Sequence, residues 1–191
     1  NLQYKQKTIS QFENIQKATI QELLKLDRNV KYYTGEGNYL DVGFGLGFHL
    51  YIAQKLGYQV YGTELDKDCI DFVQPYLLAA QLYNGDLLSA KYENNQFDII
   101  NICHVIEHLI DPNSYLLELN RIVKNEGLII VSTPNIGALA YQLFRVVNFL
   151  SFKIPLIVDG LEHTVIFNQK NLRTVIQNHG FVVVDQYTES V

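Results

Sequence analysis

The stretch Leu40-Asp41-Val42-Gly43-Phe44-Gly45-Leu46-Gly47-Phe48 joins an apolar run to three closely spaced glycines. The apolar residues from Tyr39 to Val42 predict a β-strand, and the glycines predict a tight turn that a ligand can approach closely. A dinucleotide-binding loop has the spacing G-x-G-x-x-G, which would require glycine at position 48, where this chain has phenylalanine. Asp41 precedes the first glycine by two residues. A carboxylate at that position disfavours a pyrophosphate and suits a cationic amino-acid group.

Two further acidic residues follow the next predicted strands. Glu64 comes at the end of the strand predicted for Gln59 to Thr63, 21 residues after Gly43. Asp86 follows a short strand predicted around Leu82. A carboxylate after the second strand can accept hydrogen bonds from both hydroxyls of a ribose, and one after the third strand can meet an adenine amino group. The joint placement favours a binding role over two unrelated solvated acids.

Helical and strand patterns alternate along the chain. An N-terminal amphipathic helix is predicted from the apolar stripe Ile9, Phe12, Ile15, Leu23 and Leu24. Two further helices are predicted for Phe48 to Leu56, which ends at Gly57, and for Lys67 to Ala79, which is bent near Pro75. Two more are predicted to start at Asp111-Pro112 and at the cap Asn168, and the last of these ends at Gly180. The later predicted strands are Phe97 to Ile102, Gly127 to Ser132 and Phe181 to Tyr187. The alternation indicates an α/β fold with a mostly parallel sheet, whose ligands bind beyond the carboxyl ends of the strands.

Residues 37–135 resemble the class I S-adenosylmethionine-dependent methyltransferases. The resemblance rests on the glycine loop, Glu64, Asp86 and the segments Phe97-Asp98-Ile99-Ile100, Val105-Ile106-Glu107-His108-Leu109 and Asp111-Pro112. Within this class the chain is similar to the bacterial small-molecule branch that includes the ubiquinone-biosynthesis O-methyltransferases.

The resemblance implies a Rossmann-like methyltransferase fold, with helices on both faces of a sheet ordered 3-2-1-4-5-7-6. It implies S-adenosylmethionine as the cofactor, with Gly43, Gly45 and Gly47 on its methionine and ribose side. Glu64 would bind the ribose and Asp86 the adenine. The predicted cofactor-binding set is completed by Asp41, Phe44, Leu65, Leu87 and Cys103. The family's final antiparallel strand has no counterpart before Val191, so we expect it to be missing from this chain.

Four polar residues are predicted to be catalytic: His104, Glu107 and His108, which follow the fourth predicted strand, and His163. Methyl transfer is an in-line displacement on an already activated methyl group, so positioning and desolvation supply most of the catalysis. A hydroxyl acceptor must also lose its proton, and histidine is a suitable base near neutral pH. His163 and Phe167 form an H-x-x-x-F pattern that family members often carry at the edge of the substrate pocket.

A metal site is the alternative use of these residues. The segment reads H-x-x-E-H, but the zinc-protease motif needs its own long helix and a further ligand downstream. In the ubiquinone-type enzymes and in small-RNA 3′-end methyltransferases, the corresponding segment resembles E-x-x-E-H and holds a divalent cation. Glu107 and His108 match, whereas His104 stands in place of the first glutamate, and His163 falls about where the small-RNA enzymes supply another histidine. A divalent metal is therefore open but not favoured, and its ligands stay unassigned.

A length of 191 residues predicts a single domain. The resemblance implies that residues 1–191 form one methyltransferase domain, with a helical cap in 1–36, a cofactor-binding core in 37–135, an apolar lid or substrate segment in 136–166, and a C-terminal helix and strand in 167–191. A net charge of −5 without a long basic run disfavours a nucleic-acid partner. Two cysteines without a CxxC pair, and no signal-peptide pattern, favour the cytoplasm. The chain contains no methionine, even at its start, which favours an excerpt of a longer product.

The most apolar stretch runs from Ile136 to Val158. Arg145, Lys153 and Pro155 interrupt it, which argues against a membrane-spanning helix. Four interpretations stay open for it: a lid over an apolar substrate, a peripheral contact with a membrane surface, a contact within a homodimer, and plain core.

The expected function is transfer of a methyl group from S-adenosylmethionine to a small-molecule acceptor, at a hydroxyl oxygen. One alternative is a module that binds the cofactor without catalysis, because a cofactor loop survives the loss of a base. The other is a nicotinamide-dependent oxidoreductase, which Phe48 and Asp41 disfavour.

Overall fold

The computed structural model describes residues 2–137 and 164–188. Its helices are α1 (Leu2–Lys17), α2 (Ile20–Leu26), α3 (Phe48–Lys55), α4 (Lys67–Val73), α5 (Pro112–Ile122) and α6 (Gln169–Asn178). Its strands are β1 (Asn38–Val42), β2 (Gln59–Glu64), β3 (Gln81–Asn84), β4 (Phe97–Cys103) and β5 (Val123–Ser132). The chain divides into two compact units, one formed by Asn1–Cys103 with Arg121–Ile130 and the other by His104–Asn120 with Val131–Val191.

The strands form one sheet with the order β3-β2-β1-β4-β5. β1 lies parallel to both β2 and β4, and β2 lies parallel to β3. In this register Asp41 faces Gly62 on one side and Asn101 on the other. The described strands thus confirm the Rossmann-like fold and the 3-2-1-4-5 part of the predicted order. Because the strands are parallel, the carboxyl ends of β1, β2 and β4 meet at the edge where the glycine loop begins.

The first unit is held together by strands that are apolar on both faces. Phe97, Ile99, Ile100 and Ile102 of β4 are all buried, as is typical of a parallel sheet covered by helices. In the second unit, α5 buries Leu116 and Leu119.

The N-terminal segment is not the single amphipathic helix that its apolar stripe predicts. Thr19 starts a new helix, because its side chain accepts a hydrogen bond from the Glu22 backbone and the Glu22 carboxylate accepts one from the Thr19 N–H at 2.7 Å. A 3-10 helix, Arg28–Tyr32, follows α2. The ring of Phe12 on α1 stacks on Tyr51 of α3 at a centroid distance of 4.5 Å, so the N-terminal helix packs against the helix that follows the glycine loop.

The helix that follows β2 is shorter than predicted. The helix predicted for Lys67 to Ala79 ends at Val73 and continues as a short 3-10 helix, because Pro75 has no N–H to donate.

The strand predicted for Phe181 to Tyr187 is wrong, since residues 181–188 have no regular secondary structure. Val182 and Val184 are 84% and 72% exposed, and Phe181 and Val183 are half-buried, so half of this apolar run is left in solvent. Gln186 instead accepts a hydrogen bond from Arg173 and donates one to the carbonyl of Gln169.

Within residues 2–137 and 164–188, no helix combines the length and the apolar character that crossing a bilayer requires. The apolar stretch lies, from residue 138 onward, outside the described residues. Its assignment as a lid, a membrane contact or a dimer contact therefore stays a prediction.

Candidate functional site

The glycine loop needs glycine at three positions because of its backbone. Gly43, Gly45 and Gly47 have φ angles of 67°, 54° and 72°, in the left-handed region that disfavours residues with a Cβ. The N–H of Gly47 donates to the carbonyl of Phe44 at 2.8 Å, and Gly47 caps the start of α3. The three glycines thus stand at the positions of the turn where the backbone is left-handed.

The surroundings of the loop distinguish its packing face from its open face. A Cβ on Gly47 would lie 2.9 Å from Cγ1 of Val73, and a Cβ on Gly62 would lie 2.6 Å from the ring of Phe44. The Phe44 side chain is therefore part of the core. A Cβ on Gly45 would meet no atom within 4 Å. The loop thus leaves open space at Gly45, where a ligand can approach the backbone.

Glu64 connects the end of β2 to this loop. Its Oε2 accepts a hydrogen bond from the Gly45 N–H at 2.8 Å, and its Oε1 accepts one from the Asp66 N–H at 2.9 Å. Each carboxylate oxygen can accept a second hydrogen bond, and the side chain is partly exposed. Glu64 can therefore hold two hydroxyl groups while it positions the glycine loop.

The turn after β3 is joined to the same edge of the sheet. The Gly85 N–H donates to the Glu64 carbonyl at 2.9 Å, and the Asn84 amide donates to the carbonyls of Glu64 and Leu65, both at 3.0 Å. Asp86 accepts from the Ser89 N–H at 2.8 Å and so caps a 3-10 helix, Leu87–Ser89.

The two leucines of the predicted cofactor set have opposite environments. Leu87 is fully buried, whereas Leu65 is 74% exposed. Leu87 therefore anchors the turn after β3, whereas the Leu65 side chain is accessible from solvent.

Asp41 is a buried carboxylate with unused hydrogen-bonding capacity. Asn101 donates to its Oδ1 at 2.8 Å, whereas its Oδ2 is buried without a hydrogen-bond partner among the described residues. Burial raises the pKa of Asp41 to about 6, although His49 and Asn101 favour the charged form. An orphaned carboxylate oxygen at the end of β1 suits a ligand that brings a cationic donor.

His49, two residues after Gly47, belongs to a second buried polar group. Its Nδ1 lies 3.1 Å from Oδ2 of Asp27, whose side chain is 4% exposed. Burial opposes a charge on the imidazole, but hydrogen bonds to Asp27 and Cys103 and the nearby charge of Asp41 raise the pKa of His49 to about 10. Cys103, which the sequence places in the cofactor set, thus contacts His49.

The sequence analysis did not identify Asn101, His49 or Asp27. Asn101 carried a signal, because an amide inside the apolar run Ile99 to Ile102 needs a buried partner. No sequence pattern marks His49 and Asp27 as partners, since they come together only when α3 packs against the N-terminal segment.

The second unit holds the turn that follows β4. His104 has a left-handed φ of 55°, and its Nδ1 lies 3.3 Å from Oε1 of Glu107, which is 2% exposed. Burial works against the charge of Glu107, but its hydrogen bond with His104 is the first of several interactions that lower its pKa. Glu107 Oε2 and Thr133 Oγ1 are both buried, and neither atom makes a hydrogen bond of normal geometry with a described residue. His108, at the end of the 3-10 helix Ile106–His108, is exposed.

Thr164 fixes this turn from a distant part of the sequence. Its N–H and its hydroxyl donate to the Glu107 carbonyl at 2.8 and 3.0 Å, and the hydroxyl also lies 2.7 Å from the carbonyl of Leu109. Sequence reasoning did not identify Thr164. His163 lies outside the described residues, so its catalytic role stays a prediction.

No group of three or more histidine, cysteine, aspartate or glutamate side chains is placed to hold a metal ion within residues 2–137 and 164–188. His104 and Glu107 form a hydrogen-bonded pair there. We therefore assign no metal ligand.

Comparison with known proteins identifies a methyltransferase domain in part of the chain. Residues 40–131 match the family described as "Methyltransferase domain". Ajmaline N-methyltransferase of Rauvolfia serpentina is 31% identical over 101 residues, which are 49% of this chain and 35% of that protein. A ubiquinone biosynthesis O-methyltransferase of Bradyrhizobium diazoefficiens is 30% identical over 116 residues, covering 58% of this chain and 46% of the relative. The chain thus spans less than half the length of these two curated relatives.

The fold has solved counterparts. A structure described as a SAM-dependent methyltransferase from Archaeoglobus fulgidus superposes with a TM-score of 0.65 at 21% identity, covering 90% of this chain and 73% of that one. The sheet and the glycine loop define an α/β domain with a ligand site at the carboxyl ends of its strands. Residues 40–131 of this chain match a methyltransferase domain, and the chain is similar to S-adenosylmethionine-dependent methyltransferases in sequence and in fold.

The residues at the site fit this cofactor. S-adenosylmethionine has a cationic amino-acid end, a ribose with two hydroxyls, and an adenine. The orphaned Oδ2 of Asp41 suits the ammonium group, and the open space at Gly45 admits the ligand. The partly exposed carboxylate of Glu64 suits the ribose.

Proposed function

We propose that the protein transfers the methyl group of S-adenosylmethionine to a small-molecule acceptor, at a hydroxyl oxygen. The observation that carries the proposal is the glycine loop, in which Gly45 has open space at its Cβ position and donates its N–H to Glu64. That arrangement places a flexible backbone and a hydrogen-bonding carboxylate at the ligand-binding edge of the sheet.

Residues of the first unit would hold the cofactor. Asp41 binds the ammonium group, Gly43, Gly45 and Gly47 line the methionine and ribose side, and Glu64 accepts hydrogen bonds from the ribose hydroxyls. Asp86 meets the adenine amino group, with the exposed Leu65 side chain and the backbone of Leu87 beside the ring. The backbone at Cys103 contributes to the methionine side. When bound, the cofactor supplies an activated methyl group.

Residues of the turn after β4 would remove the proton from the acceptor hydroxyl. The His104 imidazole accepts the proton that leaves the acceptor hydroxyl, while the buried Glu107 carboxylate orients the ring and stabilises the resulting charge. The left-handed backbone of His104 is consistent with a side chain held in a functional position. His108 and His163 are the other candidate bases.

The choice of acceptor atom rests on resemblance. The relatives include ubiquinone biosynthesis O-methyltransferases, whose name gives an oxygen acceptor. Ajmaline N-methyltransferase gives a nitrogen acceptor, so the family match alone leaves the atom open. A histidine base paired with a carboxylate favours a hydroxyl, because an amine that is already neutral needs no base before it attacks.

Calorimetry with S-adenosylhomocysteine tests cofactor binding. We expect the wild type to bind, and Glu64→Ala to bind about tenfold or more weakly, since it loses charge-assisted hydrogen bonds to the ligand. Glu13→Ala removes an exposed acid on α1 and serves as the matched control. Absence of binding by folded wild type, or equal affinity in Glu64→Ala and Glu13→Ala, would reject the assignment of this site.

Transfer of a labelled methyl group tests the reaction. Hydroxylated aromatic compounds and amines are offered in parallel, with the wild type and with His104→Gln. We expect the label on oxygen, and a slower turnover of His104→Gln by about 10²-fold or more at unchanged cofactor affinity. Labelling of amines alone would overturn the hydroxyl assignment. Wild-type rates in His104→Gln would remove His104 as the base.

A further inference from the structure

Acidic and basic residues flank the glycine loop in this chain. Asp41 lies two residues before the first glycine, and His49 lies two residues after the last. Asp41 is 2% exposed, receives one hydrogen bond from Asn101 and keeps one buried oxygen without a partner. A carboxylate in such a place tends to take up a proton, since burial disfavours its charged form.

Among the described residues, His49 is the cation that acts on the charge of Asp41. The charged groups that act on Asp41 are His49 from α3, Asp27 from the turn after α2 and Glu64 from the end of β2. The acids destabilise the anion, and so does burial, whereas His49 stabilises it. The hydroxyls of Tyr33 and Tyr39 also respond to the charge of Asp41 and act as neutral groups near pH 7. The anionic form of Asp41 is therefore favoured by His49 and by the hydrogen bond from Asn101.

Asp27 favours the charged form of His49. Its Oδ2 lies 3.1 Å from the His49 Nδ1, and its Oδ1 accepts from the Asn29 N–H at 2.8 Å, which fixes the carboxylate in the turn after α2. A buried carboxylate bonded to an imidazole favours the imidazolium. The N-terminal segment thereby reaches the first turn of the helix that follows the glycine loop.

We propose that His49, held as an imidazolium by Asp27, is a positioning residue that keeps Asp41 anionic beneath the glycine loop, so that Asp41 binds the ammonium group of the cofactor near neutral pH. The inference rests on the proposed function, because it assigns a ligand to Asp41. It adds that the N-terminal segment, through Asp27, sets the pH range of cofactor binding.

The test is the pH dependence of S-adenosylhomocysteine affinity, measured by calorimetry from pH 5 to pH 9. Wild-type affinity should be constant above neutrality and fall near pH 6, as Asp41 takes up a proton. In His49→Gln the midpoint of that fall should move upward by about one pH unit or more, because an opposite charge nearby lowers an acid's pKa by roughly that amount. His49→Lys, which restores the charge, should return the midpoint toward the wild-type value.

His179→Gln is the matched control, since it makes the same substitution at a histidine of the second unit that is bonded to the Val175 carbonyl. An equal loss of affinity at every pH in His49→Gln, or the same profile in both glutamine variants, would overturn the inference. Failure of the wild type to bind at any pH would instead reject the proposed function.

If His49→Gln does not fold, a measurement on the wild type still tests the inference. Ring ¹⁵N shifts of the histidines should show His49 still protonated at pH 8, above the ordinary pKa of 6.5. A neutral His49 ring at pH 7.5 would overturn the inference.

Discussion

At the residue scale, Gly45 and Gly47 share a left-handed backbone but differ in what surrounds them. A side chain at Gly47 would clash with Val73, whereas one at Gly45 would point into open space. Gly47 is therefore required by packing and backbone together. Gly45 is required by its backbone and, on the proposed function, by the ligand that comes close to it.

The two alanine variants should separate these roles. Gly45→Ala and Gly47→Ala should each lose about 1–2 kcal/mol of unfolding free energy, because alanine is strained in a left-handed backbone. Gly47→Ala should lose more, because Val73 must shift, and Gly45→Ala should bind S-adenosylhomocysteine about tenfold or more weakly while staying folded. Urea unfolding and calorimetry measure the two quantities. Full affinity in Gly45→Ala would show that the open space is not used by the cofactor.

At the element scale, α2, α4, α5 and α6 begin where a polar side chain accepts hydrogen bonds from their first N–H groups, whereas α3 begins at Gly47. Asn168 accepts from the N–H groups of Lys170 and Asn171, both at 2.9 Å, and the Asn171 side chain accepts from the Asn168 N–H. This reciprocal cap confirms the helix start that the sequence predicts. The same chemistry at Thr19 divides the N-terminal segment, because a cap inside an amphipathic stripe starts a second helix.

Replacement of this cap should destabilise α6. We expect Asn168→Ala to lower the unfolding free energy by about 1 kcal/mol, since two N–H groups lose their acceptor. Asn168→Asp keeps an acceptor and is the control, with a change of a few tenths of a kcal/mol expected. Thermal and urea unfolding provide the measurement. Equal stability of Asn168→Ala and wild type would contradict a role for the cap.

At the scale of the whole molecule, buried charges should make stability depend on pH. The pKa of His49 is about 10 in the folded state and 6.5 as its ordinary value, so the folded protein binds more protons between these limits. Stability from this group is fully present below pH 6.5 and is lost as pH rises toward 10. The pKa of Asp27 is lowered, so its contribution is present at neutral pH and is lost in acid.

The melting temperature should therefore fall between pH 6.5 and pH 9.5 in the wild type. The fall should be smaller in His49→Gln, because glutamine does not titrate, whereas His179→Gln should keep the wild-type slope. Circular dichroism melts at several pH values measure it. Parallel slopes in wild type and His49→Gln would show that His49 is not charged in the folded protein.

The sequence alone determined the elements whose causes are local. The apolar runs of β1 and β4, the three glycines and the caps at Asp111 and Asn168 are patterns of adjacent residues, so they predict strands, a loop and helix starts directly. The acids after β2 and β3 were identifiable for the same reason, since their positions follow from where each strand ends. The parallel sheet then followed from the alternation of the elements.

The tertiary structure alone decided how polar groups are paired. Asp27 and His49 are 22 positions apart, and Glu107 and Thr164 are 57 apart, so no local pattern connects either pair. The strand predicted for Phe181 to Tyr187 was wrong for a related reason: a strand requires a neighbouring strand, and an apolar run within one segment does not determine whether one pairs with it. Local propensity is a property of adjacent residues, whereas the energy of a buried charge depends on groups that only folding brings near.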